Sequence, residues 1–176
     1  SLYAGAAPVS RGELGRVLRR FAAELVVGHP TFRNQATIGA ELARGIAAAA
    51  RVYADRRVAF VVCDGTDRLE APERTTLEAA LAGATQALGA LPSAARERLL
   101  VAALPYDGYE GDHTPGKGSA LKLIFEELAW AGRVRALVLL DGDLRNDLEP
   151  WFSVFRRVQE EHGEAGDFFV TARYAR

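Results

Sequence analysis

The chain has 176 residues, a formal net charge of −1 and a hydrophobic share of 49%. That length and mixture suit one globular domain with one core, and near-neutral charge excludes bulk attraction to nucleic acid or acidic membranes. One cysteine, Cys63, excludes an internal disulfide and implies no cysteine metal cluster, and no apolar run reaches the ~18 residues that suggest a membrane span.

In chain order, Ser10 is placed to cap a helix reaching about Ala23, with Leu14, Val17, Leu18 and Phe21 on one face. "ELVVG" reads as a buried strand ending at Gly28, and "HPTFRNQ" as a loop broken by Pro30 and Asn34. Thr37 to about Ala54 reads as a helix with Ile38, Leu42 and Ile46 facing inward. "RVAFVV" is a second strand, closed by the turn "CDGTD". Pro72 to about Leu88 is helical, with the proline in its tolerated first turn, and a short helical piece follows Ser93. "RLLVAAL" is a third strand, leading into a polar, Gly-rich loop from Pro105 to Gly116. Lys117 to Trp130 is an amphipathic helix, and "RALVLL" is a fourth strand halted by "DGD". Glu149 to about His162 is a helix, and "DFFVTAR" is a fifth strand.

Short, continuous apolar strands alternating with helices predict an α/β fold with a mostly parallel sheet. Ligands of such sheets bind beyond the carboxyl ends of the strands. The clusters "GHPTFRN", "CDGTD", the Gly-rich loop and "DGDLRN" all fall there. Polar turns are normal at strand ends, but two carboxylates flanking one glycine are not explained by that.

In "LLDGDLRN", Asp141 and Asp143 bracket Gly142 directly after a buried strand. Carboxylates this close repel unless a cation or donors lie between them. Mg²⁺ or Mn²⁺ takes oxygen ligands, keeps waters and bridges to substrate phosphates, so the pair makes half a metal–diphosphate site. The other reading is a turn in which Asp143 caps the next segment. "GDHTPGK", from Gly111 to Lys117, has the G-x-x-x-x-G-K spacing of a P-loop. However, Gly118 stands where the magnesium hydroxyl belongs, Pro115 removes an amide, and "PYDGYE" separates Gly111 from the strand. What survives is Gly116-Lys117-Gly118 opening a helix, whose free amides and dipole favour anions, or a plain helix start with a solvated lysine. In "GHPTFRN", Pro30, Thr31, Phe32 and Asn34 either meet a base or ribose or form a simple turn. Asp64 either accepts from a nucleobase N–H or closes an Asx turn. The histidines His29, His113 and His162 show no zinc spacing. No G-x-S-x-G elbow supports a hydrolase triad, and no G-x-G-x-x-G follows the first strand.

Taken in order, "ELVVGHPTFRNQATIG", "VAFVVCDGTD", "PGKGSALKLIFEEL", "ALVLLDGDLRND" and "DFFVTARY" resemble the nucleotide-sugar half of GT-A-fold glycosyltransferases. The first-strand loop is similar to family-two-like members. "PGKGSAL" and "DGDLRN" look closest to the glucosyl-3-phosphoglycerate synthase and mannosylglycerate synthase group. The resemblance implies a Rossmann-like three-layer α/β/α sandwich, with residues 1–23 a helical extension and 24–176 the nucleotide-sugar domain. It implies a nucleoside pocket at Pro30, Thr31, Phe32 and Asn34, and Asp64 on the base or ribose. Gly116, Lys117 and Gly118 would lie against the diphosphate, and Asp141 and Gly142 against ribose or sugar. Asp143, with Asp141, would hold Mg²⁺ or Mn²⁺. Cys63 replaces one acid of the family's usual second turn. The acceptor site and any catalytic base are expected beyond "TARY", where the chain stops, so an acceptor part is expected to be missing. The activity implied is sugar transfer from a UDP- or GDP-sugar to an acceptor hydroxyl. The alternatives are a P-loop-type nucleotide hydrolase and a non-catalytic nucleotide-binding module. Cytoplasm is the default location, and a homodimer stays open.

Overall fold

Apolar strands that lack alternation need cover on both faces, and the computed structural model, described for residues 5–65, 75–105, 117–132 and 134–163, supplies it. The strands are β1 (Gly5–Pro8), β2 (Leu25–Thr31), β3 (Val58–Asp64), β4 (Leu99–Pro105) and β5 (Ala136–Leu139). The helices are α1 (Leu14–Phe21), α2 (Ile38–Val52), α3 (Thr76–Gly89), α4 (Ser93–Arg96), α5 (Lys117–Ala131) and α6 (Glu149–His162). The sheet order is β1-β4-β3-β2-β5, and every pairing is parallel. The fold is an α/β sandwich with helices on both faces of that sheet.

Strand parity divides the core in two. Leu25 and Val27 of β2, Val58, Phe60 and Val62 of β3, and Val101 and Ala103 of β4 pack with α2, α3 and α6. Val26, Ala59, Val61, Cys63, Leu100, Ala102 and Leu104 face the other way, onto α1 and α5. Crossovers from β2 to β3 to β4 run in one direction through α2 and α3. The returns to β2 and β5 run the opposite way through α1 and α5. Travel in opposite directions on opposite faces is what right-handed connections require.

Residues 5–23 are built into this sandwich. Gly5–Pro8 form an edge strand on β4, where the sequence reading has only a helical extension. The strand has four residues and no long apolar run, so its pairing is decided by the open edge of β4. The helix expected from Ser10 starts at Leu14. Ser10 instead turns onto Glu13, its N–H and Oγ donating to Glu13 Oε2 at 2.9 and 2.5 Å. The amides at the start of α1 are satisfied from another helix. Buried Glu127 of α5 accepts from Gly12 N and Gly15 N at 2.8 and 3.1 Å.

The strand expected to stop at Gly28 continues through His29 and Pro30 to Thr31. Pro30 fits because of strand parity. Leu140 N donates to Gly28 O, and Gly65 N donates to Thr31 O. Even positions of β2 therefore address β5, and odd positions address β3. Pairing with β5 ends at Gly28, so the missing N–H of Pro30 faces a side where no strand partner remains. Likewise Cys63 and Asp64 finish β3 instead of starting a turn. α3 begins later than Pro72, at a capping box in which Thr75 and Glu78 exchange side-chain-to-backbone bonds. Pro72 and the expected strand "DFFVTAR" lie outside the described residues. α2 and α3 cross with Gly39 against Gly83, where a Cβ on Gly83 would come within 2.5 Å of Gly39 Cα.

Candidate functional site

The sheet order reverses at β2. From β2 the chain moves through β3 to β4, then returns past β2 to β5. The carboxyl ends of β2 and β5 therefore meet at the switch point of the strand order, on the rim where open α/β sheets receive ligands. Thr31 to Asn34 leave β2 there, and Asp141 to Asp143 leave β5 beside them.

The two loops touch through Gly142, which is buried between two exposed acids. A Cβ on Gly142 would sit 2.8 Å from Thr31 Cγ2 and 3.1 Å from Asn34 Cγ. Glycine is required here because the β5 loop lies directly on the β2 loop. Asn34 Oδ1 accepts from Phe32 N at 2.9 Å, and Asn34 N donates to Thr76 Oγ1 at 3.1 Å. Arg33 takes the left-handed conformation at φ 56° to make this turn. Phe32, 40% exposed, projects from it, with the Arg33 guanidinium 5.2 Å from its ring centroid.

Asp64 differs from the exposed pair. It is buried, and its Oδ1 accepts from Thr31 Oγ1 at 3.0 Å. Thr31 and Asp64 are register partners on adjacent strands, so the contact grows out of the pairing. Next to it, burial chiefly, with a contribution from the Asp64 charge, pushes the Cys63 thiol up to about 12. Cys63 is therefore a protonated core residue on the α1/α5 face.

Lys117 opens α5, and its Nζ pairs with Asp141 Oδ1. Both side chains are about half exposed, at 55% and 48%. Gly118 comes next in open space, with nothing within 4 Å of a Cβ built there. Gly116 and the P-loop-like run from Gly111 lie outside the described residues. Asp143 is exposed and has no partner among the described residues. The capping role weighed for it is not seen: the N-cap of α6 is Leu148, and ahead of it Asp147 Oδ1 accepts from Glu149 N at 3.0 Å.

Among the described residues no cluster of three or more His, Cys, Asp or Glu is present. Two exposed carboxylates on a tight turn nonetheless fit a hard cation that keeps waters and shares phosphate oxygens. They do not fit a cation needing a closed protein cage.

Sequence reasoning missed what holds the β5 loop. Thr37, Glu41 and Arg44 form one stripe along the start of α2. Thr37 Oγ1 donates to Gly142 O at 2.7 Å, and Leu144 N donates to Glu41 Oε2 at 2.9 Å. An Arg44 guanidinium N–H donates to Leu144 O. Glu41 is fully buried, and its Oε1 lies 3.1 Å from Nδ1 of buried His29. That approach is close but not aligned as a hydrogen bond, and neither His29 nitrogen has another partner among the described residues. His29 stacks on Phe60 at 6.2 Å between ring centroids. One signal was present in the sequence: Glu41 sits between inward-facing Ile38 and Leu42, which forces its carboxylate toward the core.

A cavity of about 290 Å³ lies elsewhere on the rim, lined by Pro8, Ser10, Glu13, Pro105 and Leu123 at the ends of β1 and β4. It contains none of the switch-point residues, so topology and chemistry identify the site, not concavity. No protein-family model matches the chain, and no curated protein or solved structure matches it. No helix among the described residues is long and apolar enough to cross a membrane.

Proposed function

We propose that this chain is the nucleotide-sugar-binding domain of a GT-A-like glycosyltransferase. It takes a UDP- or GDP-sugar with Mg²⁺ or Mn²⁺ and serves transfer of the sugar to an acceptor hydroxyl. The observation that carries this reading is the packing of the Asp141-Gly142-Asp143 turn on Thr31 and Asn34, with Lys117 beside Asp141. That packing gathers an acidic pair, a lysine at a helix start and a half-exposed aromatic at the switch point.

Asp143 and Asp141 would hold the metal, which when bound neutralises charge on the diphosphate. Lys117 supplies a second cation for the departing nucleoside diphosphate. Phe32 offers a face for a base, and the Asn34 backbone and side chain fix the loop that presents it. Asp64, already bonded to Thr31, shapes the pocket wall more than it offers a free acceptor.

Titration calorimetry with UDP and GDP, with and without Mn²⁺, tests the proposal. Binding is expected for one of the two bases, only with metal, and is expected to vanish in Asp143→Ala. Equal heats in Asp143→Ala and the wild type would refute it. ATP or GTP turnover lost in Lys117→Ala would favour a P-loop-type hydrolase. Donor binding with neither transfer nor donor hydrolysis would favour a non-catalytic module.

A further inference from the structure

We infer that Glu41 is a positioning residue, and that the stripe Thr37–Glu41–Arg44 holds the Asp141–Leu144 loop in the shape that turns both aspartates outward. For its functional consequence the inference rests on the cation reading of Asp141 and Asp143. The loop-holding itself does not.

Three backbone groups of the loop are bonded by the N-cap residue of α2 and two side chains of the helix: Gly142 O by Thr37, Leu144 N by Glu41 and Leu144 O by Arg44. The spacings of four and three residues place these side chains on one helix face, so a single rigid element grips the loop. β5 ends at Leu139, so no ladder bonds hold the chain beyond Leu140. Without the stripe, the turn would keep the contact of Gly142 with Thr31 and Asn34, the exposed Lys117–Asp141 pair and the packing of Leu144, but no bond to its backbone from α2. Two adjacent carboxylates repel, and an untethered turn would relieve that by rotating them apart.

Glu41 is the centre of the grip. A fully buried carboxylate is costly unless bonded, and a surface residue would satisfy Leu144 N at lower cost. Its second oxygen faces His29, whose ring is clamped on Phe60. Burial against β2 thus confines the carboxylate, and its bond to Leu144 N carries that confinement to the β5 loop. The acids that would touch the ligand are exposed; the acid that aims them is not.

The test pairs amide exchange at Leu144 by NMR with Mn²⁺ titration by electron paramagnetic resonance, on the whole chain. In Glu41→Ala, Leu144 exchange and the Mn²⁺ dissociation constant are each expected to rise about tenfold, the worth of one lost buried bond, with Val61 exchange unchanged. Glu41→Gln keeps an oxygen for Leu144 N and is expected to restore both to within about threefold of wild type. Should Glu41→Ala not fold, Thr37→Val removes the bond to Gly142 O and is expected to weaken Mn²⁺ binding about threefold. Unchanged Leu144 protection in Glu41→Ala, or lost protection with unchanged Mn²⁺ affinity, overturns the inference. A wild type that leaves the Mn²⁺ signal untouched, while Leu144 exchange still responds to Glu41→Ala, supports the grip and sinks the cation reading alone.

Discussion

Two aspartates at the same rim have opposite relations to the fold. Asp64 ends β3 buried against Thr31, and Asp143 ends the β5 turn in solvent without a described partner. Both come after apolar strands, and the sequence reading gave both a ligand role. The difference lies in the neighbouring strand. β3 is flanked by β2 and β4 along its whole length, so its last residue is still inside the sheet. β5 pairs only with β2 among the described strands and stops four residues in, so the acids beyond it leave the sheet. A carboxylate held in the sheet stabilises the fold, and one beyond it is available to a ligand.

The sharpest way to break this contrast is to truncate each acid. Asp64→Ala removes the shorter of two buried bonds of the Thr31 hydroxyl, leaving it only Cys63 O at 3.3 Å, and is expected to cost about 1–2 kcal/mol in urea unfolding. Asp143→Ala is expected to stay within about 0.5 kcal/mol of wild type, as exposed substitutions do, while losing metal-dependent binding. Equal stability losses in the two variants would erase the distinction. Gly142→Ala comes next. The added Cβ meets Thr31 Cγ2 at 2.8 Å, so a loss of about 1–2 kcal/mol together with weaker nucleotide binding is expected. A fully neutral Gly142→Ala would mean the two loops are not in contact.

Lys117→Ala sharpens the ligand side by a change of sign. In the unliganded protein Lys117 covers Asp141, so its removal is expected to tighten binding of Mn²⁺ alone about threefold. The same variant should weaken UDP or GDP binding in the presence of Mn²⁺, because the diphosphate loses a cation. Weakening of both would show that Lys117 supports the loop and does not compete for it.

The smallest effect concerns Cys63. Its folded pKa is raised from 9.0 to about 12 by burial and then by Asp64. The folded state thus holds the proton more tightly than the unfolded one. The stability this gives is complete below pH 9 and is lost as pH rises toward 12. Urea midpoints between about pH 8 and 10 should fall with pH, and less steeply in Cys63→Ala. Native protein at about pH 8 should resist iodoacetamide, and rapid alkylation would place the thiol outside the core.

Periodicity and apolar runs were enough to expect α2, α5 and α6 close to their observed limits, and β3, β4 and β5 in their places. They failed at β1 and at the end of β2 for one reason. Whether Gly5–Pro8 or His29–Thr31 is strand depends on a neighbour supplying bonds, which no local pattern records. The near-P-loop run was conspicuous as a string, and all of it before Lys117 lies outside the described residues. Glu41, plain as a string, proved to be the buried contact between α2 and the β5 loop.

The sequence alone determined the α/β class, the parallel sheet and the gathering of polar clusters at strand ends, because those depend on local periodicity and on where apolar runs stop. Only the tertiary structure decided that β5 lies beside β2, that Gly142 seats against Thr31 and Asn34, and that Glu41 reaches Leu144. Those contacts join residues far apart in the chain, and strand order, not local spacing, determines which of them meet.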